Sequence, residues 1–292
     1  MREHGDGMTT ATLGPGLHRG VAMEEYLRLP AVSASGLEHL LRSPLQYQHY
    51  LTEPPAPPSD AMLAGTAVHR ALLEPELFGA AFVRGIEGDG RTKAVKDARA
   101  ALAAEYPDAT VLAPAKYDEV TGMRDAILGH ETARKLFEGA GEFEATLMWD
   151  DPGTGITCKA RPDRLVTRAK MLVELKSTRD AAAWAFPPDA ERRGYFRKLA
   201  LYRRGLRAVG WDYLSTVVVA VESAPPHDLA CYLVDEGSID SAEQEVTGLL
   251  RRLQHCRGTD TWPGYGEGLR HLARPAWATK QTDTETYDGD DE

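Results

Sequence analysis

Asp163, Glu174 and Lys176 are the residues of this 292-residue chain whose types and spacing could do chemistry together. They fall in a series of apolar runs at residues 143–149, 156–160, 161–166 and 171–176, broken by the turn-rich stretch 150–155 and a short polar break. Such a series reads as an antiparallel meander. Residues two apart on a strand share a face, so Glu174 and Lys176 point together while Val173 and Leu175 point into the core. Pairing of the last run with the one before it sets Asp163 beside Glu174. Two carboxylates and one ammonium then meet at a sheet edge. Mg²⁺ takes one or two protein carboxylates and fills its octahedron with waters and substrate phosphate. Asp163 and Glu174 would supply those carboxylates, with the Leu175 carbonyl as a third ligand. Lys176 would orient an attacking water, assist its deprotonation or stabilise charge on a phosphorane, which is metal-assisted phosphodiester cleavage. The plain alternative is a turn aspartate and a Glu/Lys pair on a solvated strand face.

Several elements must position these groups. The helix expected over Asp60–Leu73 carries Gly65 and His69 one turn apart, so His69 could reach a metal or a phosphate while Gly65 lets another element approach. A strongly patterned helix at residues 193–206 sets Tyr195, Lys198 and Tyr202 on one face, with Arg197, Arg203, Arg204 and Arg207 nearby. Residues 177–189, with Trp184 and Phe186, read as a loop. Residues 217–221 and 229–234 read as central strands, covered by a helix over 241–255. Ahead of the meander, short helices are expected at 23–29, from Ser33 or Ser35 to Leu41, and around Tyr47 and Tyr50. A strand is expected at 78–87, and helices at 92–106, 114–128 and 132–137. Trp262 to Tyr265 reads as a plug.

The motifs have a family likeness. Pro162-Asp163 with Glu174-Leu175-Lys176 resembles the signature of the PD-(D/E)XK nucleases. The wider pattern is similar to the phage RecE-like (exodeoxyribonuclease VIII) branch. It comprises Ser33 to Leu37 with Ser43-Pro44, Gly65 to His69, Cys158 to Asp163, Glu174 to Thr178, Tyr195 to Tyr202, and Trp262 to Tyr265. The resemblance implies a Mg²⁺-dependent exonuclease acting 5′-to-3′ on linear double-stranded DNA ends in recombination, with Mn²⁺ as an alternative ion. It further implies a ring-shaped homo-oligomer and a single-strand annealing recombinase as partner. It adds His69 and Glu144 to the metal site, and gives Arg161, Ser177, Thr178, Tyr195, Lys198 and Tyr202 to DNA. Lys198 departs from the pattern, which usually has glutamine there. The alternatives are a structure-selective or single-strand nuclease of the same superfamily, or a catalytically silent DNA-binding module.

Composition bounds these readings. With 42% hydrophobic and 27% charged residues the chain reads as a globular protein with no membrane partner. Cys158, Cys231 and Cys256 are odd in number and widely spaced, which fits a reducing cytoplasm and excludes a four-cysteine cluster. The net charge of −10 hides a local excess, 13 Lys/Arg against five Asp/Glu between residues 161 and 207. The expected organisation is a disordered leader at 1–17, one α/β domain at 18–278 and an acidic tail at 279–292. In that domain helices flank a central mixed sheet, with an N-terminal helical region packed on it.

Overall fold

The computed structural model describes residues 13–53, 57–211, 213 and 215–275. In chain order its elements begin with β1 (Gly16–His18), α1 (Met23–Arg28), α2 (Ala34–Arg42), α3 (Pro44–Thr52) and α4 (Asp60–Leu73). The middle block holds α5 (Pro75–Ala81), β2 (Phe82–Arg84), α6 (Lys93–Glu105), β3 (Thr110–Leu112), α7 (Pro114–Gly129) and α8 (Glu131–Phe137). Then come β4 (Gly141–Phe143), β5 (Thr146–Asp150), β6 (Thr157–Ala160), β7 (Arg164–Val166) and β8 (Met171–Thr178). The last elements are α9 (Phe186–Arg192), α10 (Tyr195–Ala208), β9 (Ser215–Glu222), β10 (Leu229–Leu233) and α11 (Glu236–Thr259). Side-chain caps explain several helix starts. Ser33, Ser43, Ser59 and Thr92 each accept a backbone N–H from the first turn that follows.

Five strands form the central sheet in the order β10–β9–β8–β7–β4, with β8 and β9 parallel and the other neighbours antiparallel. Val173, Leu175, Val217, Val219 and Val221 pack on one side against Ala67, Val68, Val120 and Met123 of α4 and α7. Leu172, Val218 and Ala220 face the other way, onto Leu199 and Leu206 of α10 and Val246 and Leu250 of α11. A sheet covered on both faces needs apolar residues at successive positions, which is why β9 reads as an unbroken run. Truncating a filled core position such as Leu175 to alanine would cost about 2–5 kcal/mol. The mixed α/β architecture is the one expected.

Several local expectations need correction. The run at 143–149 is two strands in two sheets: β4 pairs with β7, while β5 joins β1 and β6 in a separate three-stranded sheet. Residues 78–87 hold the end of α5 and only three strand residues, because Pro75 opens a helix at its first turn. In the same way Pro187-Pro188 open α9, so 177–189 is not all loop. β10 is an edge strand rather than a central one. α11 begins at Glu236, capped by Asp235, five residues before the expected start. Gly16 and Leu17 pair with Met148 and Leu147, so the leader ends earlier than 17. The rest of that leader up to residue 12 and the tail at 279–292 lie outside the described residues.

Two contacts fix the smaller sheet to the helices. A Cβ on Gly205 of α10 would lie 2.6 Å from the ring of Trp149, so only glycine lets β5 come this close. The Lys159 ammonium, on β6, donates to the carbonyls of Tyr26 (2.8 Å), Leu27 (3.1 Å) and Leu29 (2.8 Å). A cation against the C-terminal carbonyls of α1 suits the helix dipole and straps the N-terminal segment down. Trp262 stacks on Tyr47 at 6.2 Å, as a plug should, whereas Tyr265 is exposed.

Candidate active site

β7 starts at Arg164, so beyond Val173 the strand β8 has lost its neighbour on that side. Side chains take over the backbone groups left there, as buried peptide groups require. The Leu175 amide donates to Asp163 Oδ2 (2.7 Å), and the Asp163 amide donates to Glu174 Oε1 (3.2 Å). The Leu175 carbonyl accepts from Lys176 Nζ (3.0 Å) and lies 3.1 Å from His69 Nε2. Asp163 and Glu174 therefore sit side by side at the end of a strand pair, as the meander predicts, and both are buried.

Glu144 enters from the break between β4 and β5. Its backbone is left-handed, with φ of 49°, a conformation that costs a non-glycine residue about 1–2 kcal/mol. The Glu144 amide donates to the Asp163 carbonyl (3.1 Å), which holds the turn. Its side chain accepts from Arg161 Nε (2.7 Å) and faces His69 Nδ1 at 3.9 Å. His69 Nδ1 is 3.5 Å from Asp163 Oδ1. A carbonyl only accepts, so Leu175 fixes the proton of a neutral His69 on Nε2 and leaves Nδ1 a lone pair. One donor atom each from His69, Glu144 and Asp163 then lies within 4.8 Å of the others. Two carboxylates and one imidazole form a donor set that fits Mn²⁺ or Mg²⁺, the imidazole favouring the former.

Glu174 is turned away from that set. Its Oε2 accepts from Lys176 Nζ (2.6 Å) and pairs with Lys198 Nζ (2.8 Å), which reaches in from α10. Tyrosine rings flank both ammoniums: Lys176 Nζ is 5.4 Å from the Tyr195 ring and Lys198 Nζ 5.1 Å from that of Tyr202. The Tyr202 hydroxyl donates to the Arg161 carbonyl (3.1 Å), so this buried tyrosine supports the site from beneath. Burial pushes the Glu174 carboxyl up, but Lys176 and Lys198 outweigh it and bring it down to about 2. Burial and the adjacent Glu174 charge hold Asp163 above the ordinary carboxylate range. Burial pulls His69 down, yet Asp163 and Glu144 leave it above its usual value. Lys198 is raised well above normal, since Glu174, Tyr202 and Asp163 overcome its burial.

Most of the residues expected from the sequence thus converge: Asp163, Glu174, Lys176, His69, Glu144, Arg161, Lys198 and the Leu175 carbonyl, with Tyr195 and Tyr202 packed on the lysines. Ser177 and Thr178 do not join the carboxylates. Ser177 faces Gly65 of α4, and the Thr178 hydroxyl donates to the Asp180 carbonyl (3.2 Å). Lys198 does not pair with Glu191, whose partner is Arg197. Sequence reasoning missed Lys159 and Tyr26. Tyr26 lies under the Lys159 ammonium and near that of Lys198, with its phenol pushed up chiefly by burial. A lysine inside a strand of otherwise buried residues was the available signal.

A family model described as a PDDEXK-like domain of unknown function (DUF3799) matches residues 33–273. None of the curated proteins matches the chain. Among solved structures, the fold is similar to that of a protein from Eubacterium rectale assigned as an exonuclease, with a TM-score of 0.53 and 13% identity. That alignment covers 84% of this chain and 90% of the other. A phage-related exonuclease from Haemophilus somnus 129PT aligns at 14% identity over 79% of this chain and 96% of its own, with a TM-score of 0.35. No helix among the described residues is long and apolar enough to cross a membrane.

Proposed function

The chain belongs to this PDDEXK-like family, and on that premise we propose that it is a divalent-metal-dependent deoxyribonuclease that hydrolyses linear double-stranded DNA from its ends. The observation that carries the reading is the convergence of His69, Glu144 and Asp163 donor atoms within 4.8 Å, with Lys176 Nζ 3.8 Å from Asp163 Oδ2. A divalent ion bound there would acidify water and polarise a phosphoryl oxygen. Asp163, Glu144 and His69 Nδ1 would hold it, while the Leu175 carbonyl fixes the His69 ring through Nε2. Lys176 offers its N–H groups to the attacking water or to charge gathering on the phosphate. Arg161 orients Glu144 through its Nε, and Tyr202 anchors the Arg161 backbone carbonyl.

The finer parts of the reading rest on the RecE-like motifs: attack at duplex ends, 5′-to-3′ polarity, a role in recombination, ring assembly, and partnership with a single-strand annealing protein. The test incubates linear duplex, circular duplex and single-stranded DNA with the full chain, with Mg²⁺, with Mn²⁺ and with neither. Loss of linear duplex alone, dependent on metal, is the expected result. Equal loss of circles would point to an endonuclease and loss of single strands alone to a single-strand nuclease. Binding without any cleavage would leave a silent binding module.

A further inference from the structure

Formal charges at the site cancel. Glu144, Asp163 and Glu174 bring three negative charges, and Arg161, Lys176 and Lys198 bring three positive ones: Arg161 pairs with Glu144, Lys176 with Asp163 and Glu174, and Lys198 with Glu174. With the His69 proton on Nε2 alone, as a metal at Nδ1 requires, these formal charges balance before the ion's own charge is added. A divalent cation moving into a balanced, buried centre gains little net attraction to offset the loss of its water shell. The same ion arriving with a phosphate diester brings compensating negative charge. The three cations differ in what else holds them. Lys176 also donates to the Leu175 carbonyl, and Arg161 to the Val21 carbonyl at 2.7 Å. Among the described residues the Lys198 ammonium has no hydrogen-bond partner beyond Glu174, and its side chain is 27% exposed against 11% for Lys176 and 10% for Arg161. It is therefore the cation an incoming anion can draw away.

We propose that Lys198 is a resident counter-cation that, through its Glu174 pair, balances the carboxylate charge of the metal site in the free protein, and that a DNA phosphate releases it by pairing with the Lys198 ammonium. Metal and DNA then bind with mutual positive cooperativity, because each favours the state in which Lys198 has left Glu174 Oε2. The coupling is reciprocal, so DNA tightens metal by the same factor that metal tightens DNA. Lys198 acts here as a positioning residue for Glu174. This inference rests on the nuclease reading and adds the order in which the site is assembled.

The experiment titrates the full chain with Mn²⁺, reading free ion by electron paramagnetic resonance. It is run with and without a short duplex carrying phosphorothioate end linkages, beside a cleavage assay on unmodified duplex. Duplex should tighten Mn²⁺ at least about tenfold in the wild type. Lys198→Gln should bind Mn²⁺ without DNA about tenfold more tightly than wild type and lose most of the gain from duplex, while Lys198→Arg should behave as wild type. A lysine with only a structural role would shift the melting temperature and leave the DNA-dependent difference intact. The inference is overturned if a chain that cleaves DNA binds Mn²⁺ equally well with and without duplex. It is also overturned if Lys198→Gln matches wild type in the DNA-free titration. If Lys198→Gln does not fold, the wild-type pair of titrations decides alone. Absence of both Mn²⁺ binding and cleavage would overturn the nuclease reading itself, and this inference with it.

Discussion

The two sides of α10 carry cations of the same kind and use them differently. On one side Lys198 reaches Glu174, a buried carboxylate at the end of β8. On the other, Arg203 donates to Glu236 (3.0 Å), Asp240 (2.6 Å) and Glu243, all on α11, and Arg207 pairs with Glu243 at 3.2 Å. Arg197 is bound by Glu38 (2.7 Å) and Glu245 (3.2 Å), and Arg204 by Asp151. Four of the thirteen cations between residues 161 and 207 are thus neutralised by acids from α2, α11 and the β5–β6 turn. The difference teaches that a run of arginines in sequence is no measure of free positive surface. These arginines join helices to each other; the site lysines hold groups that a substrate can rearrange.

The largest expected effects lie on the site side. Asp163→Asn and Lys176→Ala should each lower cleavage by at least about 10²-fold with the folded state retained, since the first weakens the hold on the metal and the second removes the ammonium that acts at the phosphate or its water. Lys176→Ala should still bind metal, because an ammonium is not a ligand. Near-normal turnover in Lys176→Ala would remove it from the chemistry. On the opposite side the balance reverses. The Arg203 side chain is only 1% exposed, and truncating it removes its packing and its bonds to three carboxylates of α11, so Arg203→Ala should cost about 2 kcal/mol in urea unfolding. Activity per folded molecule should hold. A large loss of activity at full stability would erase the distinction between the two sides.

A smaller effect separates the site by pH. Glu174 titrates at about 2 in the folded chain, below the ordinary glutamate value of about 4.3. A depressed carboxyl contributes stability above the unfolded value and loses it as pH falls through the folded one. With chelator present, the stability gap between wild type and Glu174→Gln should therefore shrink as pH drops from about 4 towards 2. Asp163, held high by burial and by Glu174, works in the opposite sense and less strongly once Glu174 is neutral, so it offsets part of the narrowing. A gap that stays flat across that range would mean the two lysines do not hold Glu174 ionised.

How much of this was legible in the sequence follows from the range of each interaction. Asp163, Glu174 and Lys176 could be set together because strand periodicity and one antiparallel pairing fix their neighbours. His69 could be included because Gly65 and His69 share a helix face. The Glu144 turn left no local trace, since left-handed backbone there is imposed by the chain passing from one sheet to another. The Lys198–Glu174 pair depends on how closely α10 packs on β8, a distance that no local pattern encodes. Short apolar stretches such as 78–82 are ambiguous between helix and strand. The prolines at 75, 187 and 188 are the signals that, read as helix starts, would have corrected them.

The smallest effect tests whether the two sides of α10 differ towards DNA as well as towards protein. Each cation that meets a phosphate releases counterions, so losing one lowers the slope of log affinity against log salt by about one unit. Lys198 is held by a single carboxylate and is partly exposed; Arg207 is more exposed, at 54%, but faces Glu243 on α11. Exposure alone would make Arg207 the better DNA contact, whereas the comparison above favours Lys198. Duplex affinity measured over a salt series in Ca²⁺, an oxygen-seeking ion chosen to fill the site without turnover, decides between them. Lys198→Gln should flatten the slope by about one unit and Arg207→Gln should leave it unchanged. Lys198→Glu should weaken binding further, by setting a carboxylate against the phosphate. If Arg207→Gln flattens the slope and Lys198→Gln does not, the DNA path runs along the arginine face, and the Glu174 pair is a permanent part of the fold.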